Sequence, residues 1–129
     1  MKTIFKAGDK KEYRKTVLPE DVAAFNGEIV HPVCATFSLA REIEWTTRQF
    51  VLEMKDDDEE GIGTFLTIEH KGPAFIGEEI VFTATIDMIK DHELICSFDA
   101  RTKDRLVATG KTGQKILKQE KIKQLFKQP

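Results

Sequence analysis

The chain has 129 residues, of which 40% are hydrophobic and 33% charged, and its formal net charge is -2 at pH 7. This length and composition indicate one globular domain, residues 1–129, with a core of its own, and they exclude general disorder. Outside the acidic run Asp56–Glu60 the basic residues are only slightly in excess and are scattered. The sequence therefore carries no electrostatic footprint for nucleic acid.

The cysteines and the first residues indicate a compartment. Cys34 and Cys96 are far apart, lie in apolar surroundings and form no CxxC motif, as expected for reduced core residues of a cytosolic protein. The opening MKTIFKAGDKKEYRK lacks the apolar centre of a signal peptide, and no apolar run approaches membrane-spanning length. The sequence predicts a cytoplasmic protein that does not insert into a membrane.

The first half of the chain predicts a strand and a long helix. Residues 11–19 are typical of a strand that Pro19 ends, and residues 19–26 of a short helix that starts with proline and two acids. From Thr36 to Met54 apolar residues recur at helical spacing, which predicts a helix with one strongly buried face. The residues of that face are Leu39, Ile43, Phe50 and Met54, widened by Ala40 and Val51.

The second half predicts four consecutive strands, because the apolar period changes to two after the acidic run. The segments are Phe65–Glu69, then 78–88 and 93–98 joined by a hairpin at 90–92, and finally Arg105 to about Lys118. Within 78–88 the even positions are apolar and should face the core: Ile80, Phe82, Ala84, Ile86 and Met88. The tail after the last strand predicts a short amphipathic helix or a frayed end.

A strand, a long helix and four antiparallel strands together define an α+β architecture. One helix cannot cover both faces of such a sheet, and the sheet has edges that need protection. A long central helix wrapped by a curved antiparallel sheet of about five strands, completed by a partner subunit, satisfies the pattern. This layout is the hot-dog fold, and we expect a homodimer or a higher oligomer.

Three polar residues are candidates for chemistry, although each has a structural explanation. Thr36 suits a helix N-cap, and His70 ends a strand before a turn, where surface histidines are common. Glu44 lies beside the apolar face of the helix, where a carboxylate needs a partner or a function. The structural alternative for Glu44 is an ion pair with Arg41 or Arg48.

Two weaker signals are rejected. GKT at 110–112 lies in a strand pattern, and Arg105 stands where a phosphate loop requires its first glycine. The acidic run Asp56–Glu60 lacks the spaced ligands of a calcium loop and is typical of a solvated loop. We therefore expect no metal and no cofactor.

The combined spacing of the candidate residues resembles a known family. ATxxxxxxxEW at 35–45, GTxxxxxH at 63–70 and the following GPAFIGEEI resemble the fluoroacetyl-CoA-thioesterase-like family of hot-dog proteins, over most of the chain. The resemblance implies that Thr36, Glu44 and His70 are catalytic and that Gly63 and Thr64 contact the substrate. It also implies that the enzyme needs no cofactor, since the CoA thioester is its substrate.

The expected function is hydrolysis of a short-chain acyl-CoA, or a related acyl thioester, to the free acid and CoA. A non-catalytic acyl-CoA-binding or regulatory hot-dog domain is the alternative. A hot-dog dehydratase is a third possibility, but this sequence has no matching His–Asp motif. On a straight helix Thr36 and Glu44 are about 12 Å apart along the axis. Either Thr36 precedes the helix or the site combines two subunits, and we favour a site at a dimer interface.

Overall fold

The computed structural model describes residues 1–129 and contains a five-stranded antiparallel sheet, a separate hairpin and two helices. In chain order the elements are β1 (Lys10–Thr16), β2 (Val22–Phe25), β3 (Glu28–Cys34), α1 (Thr36–Met54), β4 (Glu59–His70), β5 (Glu79–Lys90), β6 (Glu93–Arg101), β7 (Leu106–Lys118) and α2 (Gln119–Leu125). The strand order in the sheet is β1-β5-β6-β7-β4, and β2 pairs with β3. This is the predicted long helix on a five-stranded antiparallel sheet.

Helix α1 begins and ends where the sequence predicts, and its apolar face is buried against the sheet. Leu39, Ile43, Phe50 and Val51 have no exposed surface. Leu39 and Ile43 join one core cluster, whereas Phe50 and Val51 join a second cluster further along the helix. Each such side chain contributes about 1.5–3 kcal/mol through removal of apolar surface from water. The helix therefore holds a fixed position over the sheet.

The inward face of β5 follows the predicted alternation with one exception. Ile80, Phe82, Ala84 and Ile86 are buried, but Met88 is 48% exposed. The pairing of β5 with β6 shifts register between Ile86 and Met88. The extra residue of this β-bulge reverses the direction of the side chains that follow, so the prediction for Met88 was wrong.

The predicted helix over residues 19–26 is not formed. A single 3-10 turn covers Pro19–Asp21, and the chain then enters the β2–β3 hairpin. Asn26 and Gly27 form the two-residue loop with φ values of 53° and 81°. Both residues adopt the left-handed conformation that a type I′ turn requires, and Asn-Gly is its preferred sequence. The Asn26–Gly27 pair is thus a hairpin signal that the helix prediction overlooked.

The acidic run is only partly the solvated loop that the sequence predicts. Asp56–Asp58 form the loop after α1, but Glu59 starts β4 and is 2% exposed. Its carboxylate lies 2.8 Å from the α-amino group of Met1 and accepts a hydrogen bond from the backbone N–H of Asp56. Burial raises the pKa of Glu59, but the amino group and the Asp56 N–H outweigh this and lower it. These partners explain how the carboxylate is accommodated inside the protein.

Strand β4 forms one edge of the sheet, and this placement prepares the site. It has 12 residues and pairs only with β7, so its other edge has no neighbouring strand. Long free edges are uncommon in monomers because their unpaired N–H and C=O groups recruit further strands.

Neither helix of the protein is long and apolar enough to cross a bilayer.

Candidate active site

Thr36 and His70 meet at the start of α1. The Thr36 hydroxyl lies 3.0 Å from His70 Nδ1, although 34 residues separate the two in sequence. The N-cap is Ala35, and no side chain caps this end of the helix, so the N-cap role predicted for Thr36 is wrong. The hydroxyl is therefore available to His70, and the first amide N–H groups of the helix lack intrahelical partners.

His70 reaches this position because it is the last residue of β4. Leu66 and Ile68 pack against the core from the same strand, and period-two alternation places His70 on their side of the sheet. His70 itself is exposed in the single chain, where β4 is the edge strand of the sheet. The imidazole is thus fixed through Nδ1 while the rest of the ring remains accessible.

Glu44 faces Gly63 across the contact between α1 and β4. A methyl group built on Gly63 would lie 3.9 Å from Glu44 Oε1. The Glu44 side chain is exposed and forms no ion pair or hydrogen bond, because Arg41 pairs with Asp21 and Glu42. The ion pair with Arg41 or Arg48 that the sequence left open is not formed.

Arg48 is instead held beside the site by Glu60. The guanidinium lies 3.0 Å from Glu60 Oε1, which also accepts the backbone N–H of Gly61. The Gly61 N–H and the Arg48 guanidinium lower the pKa of Glu60, against the opposing effect of partial burial. Arg48 is therefore paired with Glu60 and not with Glu44, and the Glu44 carboxylate remains without an ion-pair partner.

A cleft of about 300 Å³ contains Glu44 and Gly63. Helix α1 and the edge of the sheet supply its walls: Arg41, Glu44, Trp45, Arg48, Gly61, Gly63 and Gln114. The sequence analysis did not assign Gln114 or Gly61 to a site. The signal available for Gln114 was a long polar side chain on the inward face of the last strand, between Thr112 and Ile116.

Thr64, predicted to contact substrate, takes a different direction from Gly63. Its hydroxyl donates to Glu93 Oε2 at 3.0 Å, on the exposed side of the sheet. The register of β4 against β7 shifts between Gly63 and Phe65, so Thr64 lies at a bulge. Only its backbone, adjoining Gly63, lies next to the cleft.

The single chain separates the predicted residues into two half-sites. One contains Thr36 and His70, and the other contains Glu44 and Gly63. Thr36 and Glu44 belong to the same helix, where eight residues span about 12 Å. Gly63 and His70 belong to the same strand, where seven residues span roughly 23 Å. The chain also has no group of three or more His, Cys, Asp or Glu side chains placed to hold a metal ion.

Comparison with solved structures identifies the class of protein. The chain resembles a hypothetical protein of Thermus thermophilus that is a thioesterase superfamily member, with a TM-score of 0.89 and 27% identity over 94% of this chain and 90% of that chain. A hot-dog-like protein from Thermanaerovibrio acidaminovorans gives a TM-score of 0.85 at 16% identity, over 97% and 96% of the two chains. The fold is therefore the α+β hot-dog fold of the thioesterase superfamily.

The family is defined more narrowly by a sequence model. The model of FlK, the fluoroacetyl-CoA-specific thioesterase, matches residues 17–120. The chain belongs to this family, as the spacing of its motifs suggested. The structure of FlK itself gives a TM-score of 0.86 at 18% identity, over 97% of this chain and 98% of that chain. No match was found among curated protein sequences.

Proposed function

We propose that the protein is a thioesterase that hydrolyses a short-chain acyl-CoA to the free acid and CoA. The main observation is the free Glu44 carboxylate facing Gly63 in a cleft of about 300 Å³, a size suited to a small acyl group. Structures of FlK variants hold acetyl-CoA in one case and fluoroacetate with CoA in another, which supports a small acyl group on CoA. The two free cysteines support a cytoplasmic enzyme.

The complete site is formed by two subunits in this proposal. Antiparallel pairing of the free edge of β4 with the same strand of a second subunit would extend the sheet across a two-fold axis. If the axis lies between Leu66 and Thr67, Gly63 of one subunit is opposite His70 of the partner subunit. Glu44 with Gly63 from one chain then adjoins Thr36 with His70 from the other, so each dimer has two equivalent sites.

Each group has a step for which its chemistry is suited. Water adds to the thioester carbonyl carbon while Glu44 accepts its proton, and the N–H groups at the start of α1 stabilise the oxyanion. The C–S bond then breaks, and His70, as the imidazolium, supplies a proton to the departing thiolate and becomes neutral. Thr36 orients the imidazole through Nδ1. Water and thioester thus become acid and thiol, and the proton on Glu44 returns to His70 through solvent.

A second route uses Glu44 as a nucleophile. Its carboxylate would attack the carbonyl carbon, and the C–S bond would break to release the CoA thiolate, which His70 as the imidazolium protonates. Water would then hydrolyse the resulting mixed anhydride. Single turnover in H₂¹⁸O tests the anhydride route, because attack of water on the Glu44 carbonyl of the anhydride leaves solvent ¹⁸O in that side chain, which direct hydrolysis does not do. Mass spectrometry of the peptide that contains Glu44 measures this label.

The proposal is tested by thiol release over a panel of short acyl-CoAs. Turnover of acetyl- to butyryl-CoA by the purified protein, with loss of activity as the chain lengthens beyond the cleft, is the expected result. Saturable binding of these compounds without release of CoA would overturn it and would leave a binding domain. Parallel assays with acyl carrier protein thioesters determine whether CoA is the preferred carrier.

A further inference from the structure

One hydrogen bond crosses from helix to sheet beside the Glu44 half-site. Gln114 Nε2, on β7, donates to Thr47 Oγ1 at 2.9 Å. Thr47 has no exposed surface, and its hydroxyl also donates to the backbone carbonyl of Glu44 at 3.1 Å. The Thr47 hydroxyl therefore links the sheet to the helical turn that presents Glu44.

The sheet residue in this link lies directly beside Gly63. In the β4–β7 ladder Gln114 is the register partner of Gly63. Thr47 in turn is bonded to the carbonyl of Glu44. The bond from Gln114 to Thr47 therefore connects Gly63 and Glu44 indirectly, and these are the two residues that the half-site must hold together. A shift of α1 along the sheet would stretch this bond and move Glu44 away from Gly63 at the same time.

At this point α1 packs on strand backbone, because β4 presents glycines. A methyl group on Gly61 would lie 2.7 Å from Val51 Cγ1, so the helix rests on bare strand backbone here. No side chain of Gly61 or Gly63 can interlock with α1 and set its position. The only other polar link from α1 to the sheet near Glu44 is the ion pair of Arg48 with Glu60, which is partly exposed and therefore weak.

We propose that Thr47 and Gln114 are positioning residues that hold Glu44 at its working distance from Gly63. This inference rests on the proposed function, since it assumes that Glu44 reacts with a thioester bound along Gly63. Displacement of a catalytic group by about 1 Å can reduce turnover by about a hundredfold. One partly buried hydrogen bond at this location therefore has a large effect on rate and a small effect on stability.

Helix α1 offers a matched control in the neighbouring residue. Thr46 is also buried, and its hydroxyl donates to the backbone carbonyl of Glu42 at 2.7 Å. It accepts no hydrogen bond from the sheet. Thr46→Val and Thr47→Val therefore each remove one hydroxyl bond to a backbone carbonyl of the helix, but only Thr47→Val also removes the link to Gln114.

The experiment compares kcat, KM and Tm of Thr47→Val, Thr46→Val and Gln114→Met on the preferred acyl-CoA. We expect Thr47→Val and Gln114→Met to lower kcat at least about tenfold with KM unchanged, and Thr46→Val to retain activity with a similar change in Tm. The double variant Thr47→Val/Gln114→Met should lose no more than either single variant, because both remove one interaction. Thr47→Ser, which keeps the hydroxyl, should restore most of kcat.

Equal kcat for Thr47→Val and Thr46→Val, with the wild type active, would overturn this inference and leave the proposed function intact. A wild type that releases no thiol would overturn the proposed function, and this inference with it. If Thr47→Val does not fold, the comparison of kcat between Gln114→Met and Thr47→Ser tests the positioning role. Gln114 is only partly buried, so its substitution should not prevent folding. Full activity of Gln114→Met would then exclude the positioning role.

Discussion

Thr36 and His70 share a hydrogen bond of 3.0 Å between Oγ1 and Nδ1, which joins the first residue of α1 to the last residue of β4. When the hydroxyl donates, Nδ1 is the acceptor and the proton of the neutral ring lies on Nε2. Nε2–H is then on the accessible part of the ring. A neutral ring that lost this proton would become an imidazolate, so protonation of a departing thiolate requires the imidazolium, in which Nδ1–H donates to the Thr36 hydroxyl instead.

The first prediction concerns this hydrogen bond. Thr36→Val should lower kcat/KM at least about tenfold, because the imidazole loses the partner that sets its tautomer and orientation. Thr36→Ser keeps the hydroxyl and should retain most activity. Thiol-release kinetics measure both variants, and circular dichroism checks the fold. Equal activity of Thr36→Val and wild type would show that the bond has no catalytic role.

The second prediction concerns the free carboxylate of Glu44. Glu44→Gln should reduce turnover about a hundredfold or more, the usual scale for an acid–base group. Its free energy of unfolding should change by well under about 1 kcal/mol, because the side chain is exposed and forms no ion pair. Urea unfolding and thiol release on one preparation test both parts. Glu42→Gln, on the same helix, serves as the control.

The sequence was informative where one periodicity dominated. The helix from Thr36 to Met54 and the inward face of β5 from Ile80 to Ile86 follow from apolar spacing, because burial of those faces outweighs local preferences. Period two also placed His70 on the side of Leu66 and Ile68. The motif spacing led to the family, which the sequence model confirms.

Other features depend on contacts that no local pattern encodes. The bulge that exposes Met88 is a register shift between two strands. Burial of Glu59 depends on Met1, which is remote in sequence. The role of Gln114 depends on its register with Gly63 and on a hydroxyl of α1. The 19–26 segment is different, since Asn26–Gly27 was a readable turn signal.

The third prediction contrasts two glycines of β4. Gly63→Ala should fold normally, because its methyl group would meet only Glu44 Oε1, at 3.9 Å. It should nevertheless lower kcat/KM several-fold, because the methyl occupies the space where the thioester would approach the strand. Gly61→Ala should lower Tm markedly, because its methyl would lie 2.7 Å from Val51 Cγ1. Thermal unfolding and thiol release separate the two effects, and an unchanged kcat/KM in Gly63→Ala would contradict the substrate contact.

The fourth prediction concerns the buried thiols and pH. Burial raises the pKa of Cys34 from 9.0 to about 11 and that of Cys96 from 9.0 to about 12. The reactive thiolate is therefore scarce at pH 8, and iodoacetamide should label neither cysteine until the chain unfolds. Labelling of the native protein within minutes would contradict the buried positions.

The same shifts give a sign for stability. Above pH 9 the unfolded chain loses its thiol protons while the folded chain keeps them, so the folded state binds more protons. The free energy of unfolding should fall as the pH rises from 9.0 towards about 11. Urea unfolding across this range measures the slope, and Cys96→Ala should show a shallower slope than the wild type.

The last prediction tests the shared site by mixing inactive subunits. Glu44→Gln and His70→Gln should each be nearly inactive as homodimers, and light scattering at micromolar concentration should give dimers for both. After joint unfolding and refolding in equal amounts, half of the dimers combine the two variants. In each mixed dimer one of the two sites combines the unchanged Glu44 of one subunit with the unchanged His70 of the other, and the second site lacks both. About a quarter of wild-type activity should therefore return. Two residues that act within one chain would give no recovery, because every subunit carries a defect. Separate refolding of each variant before mixing is the control, and monomers in light scattering would exclude the two-subunit site.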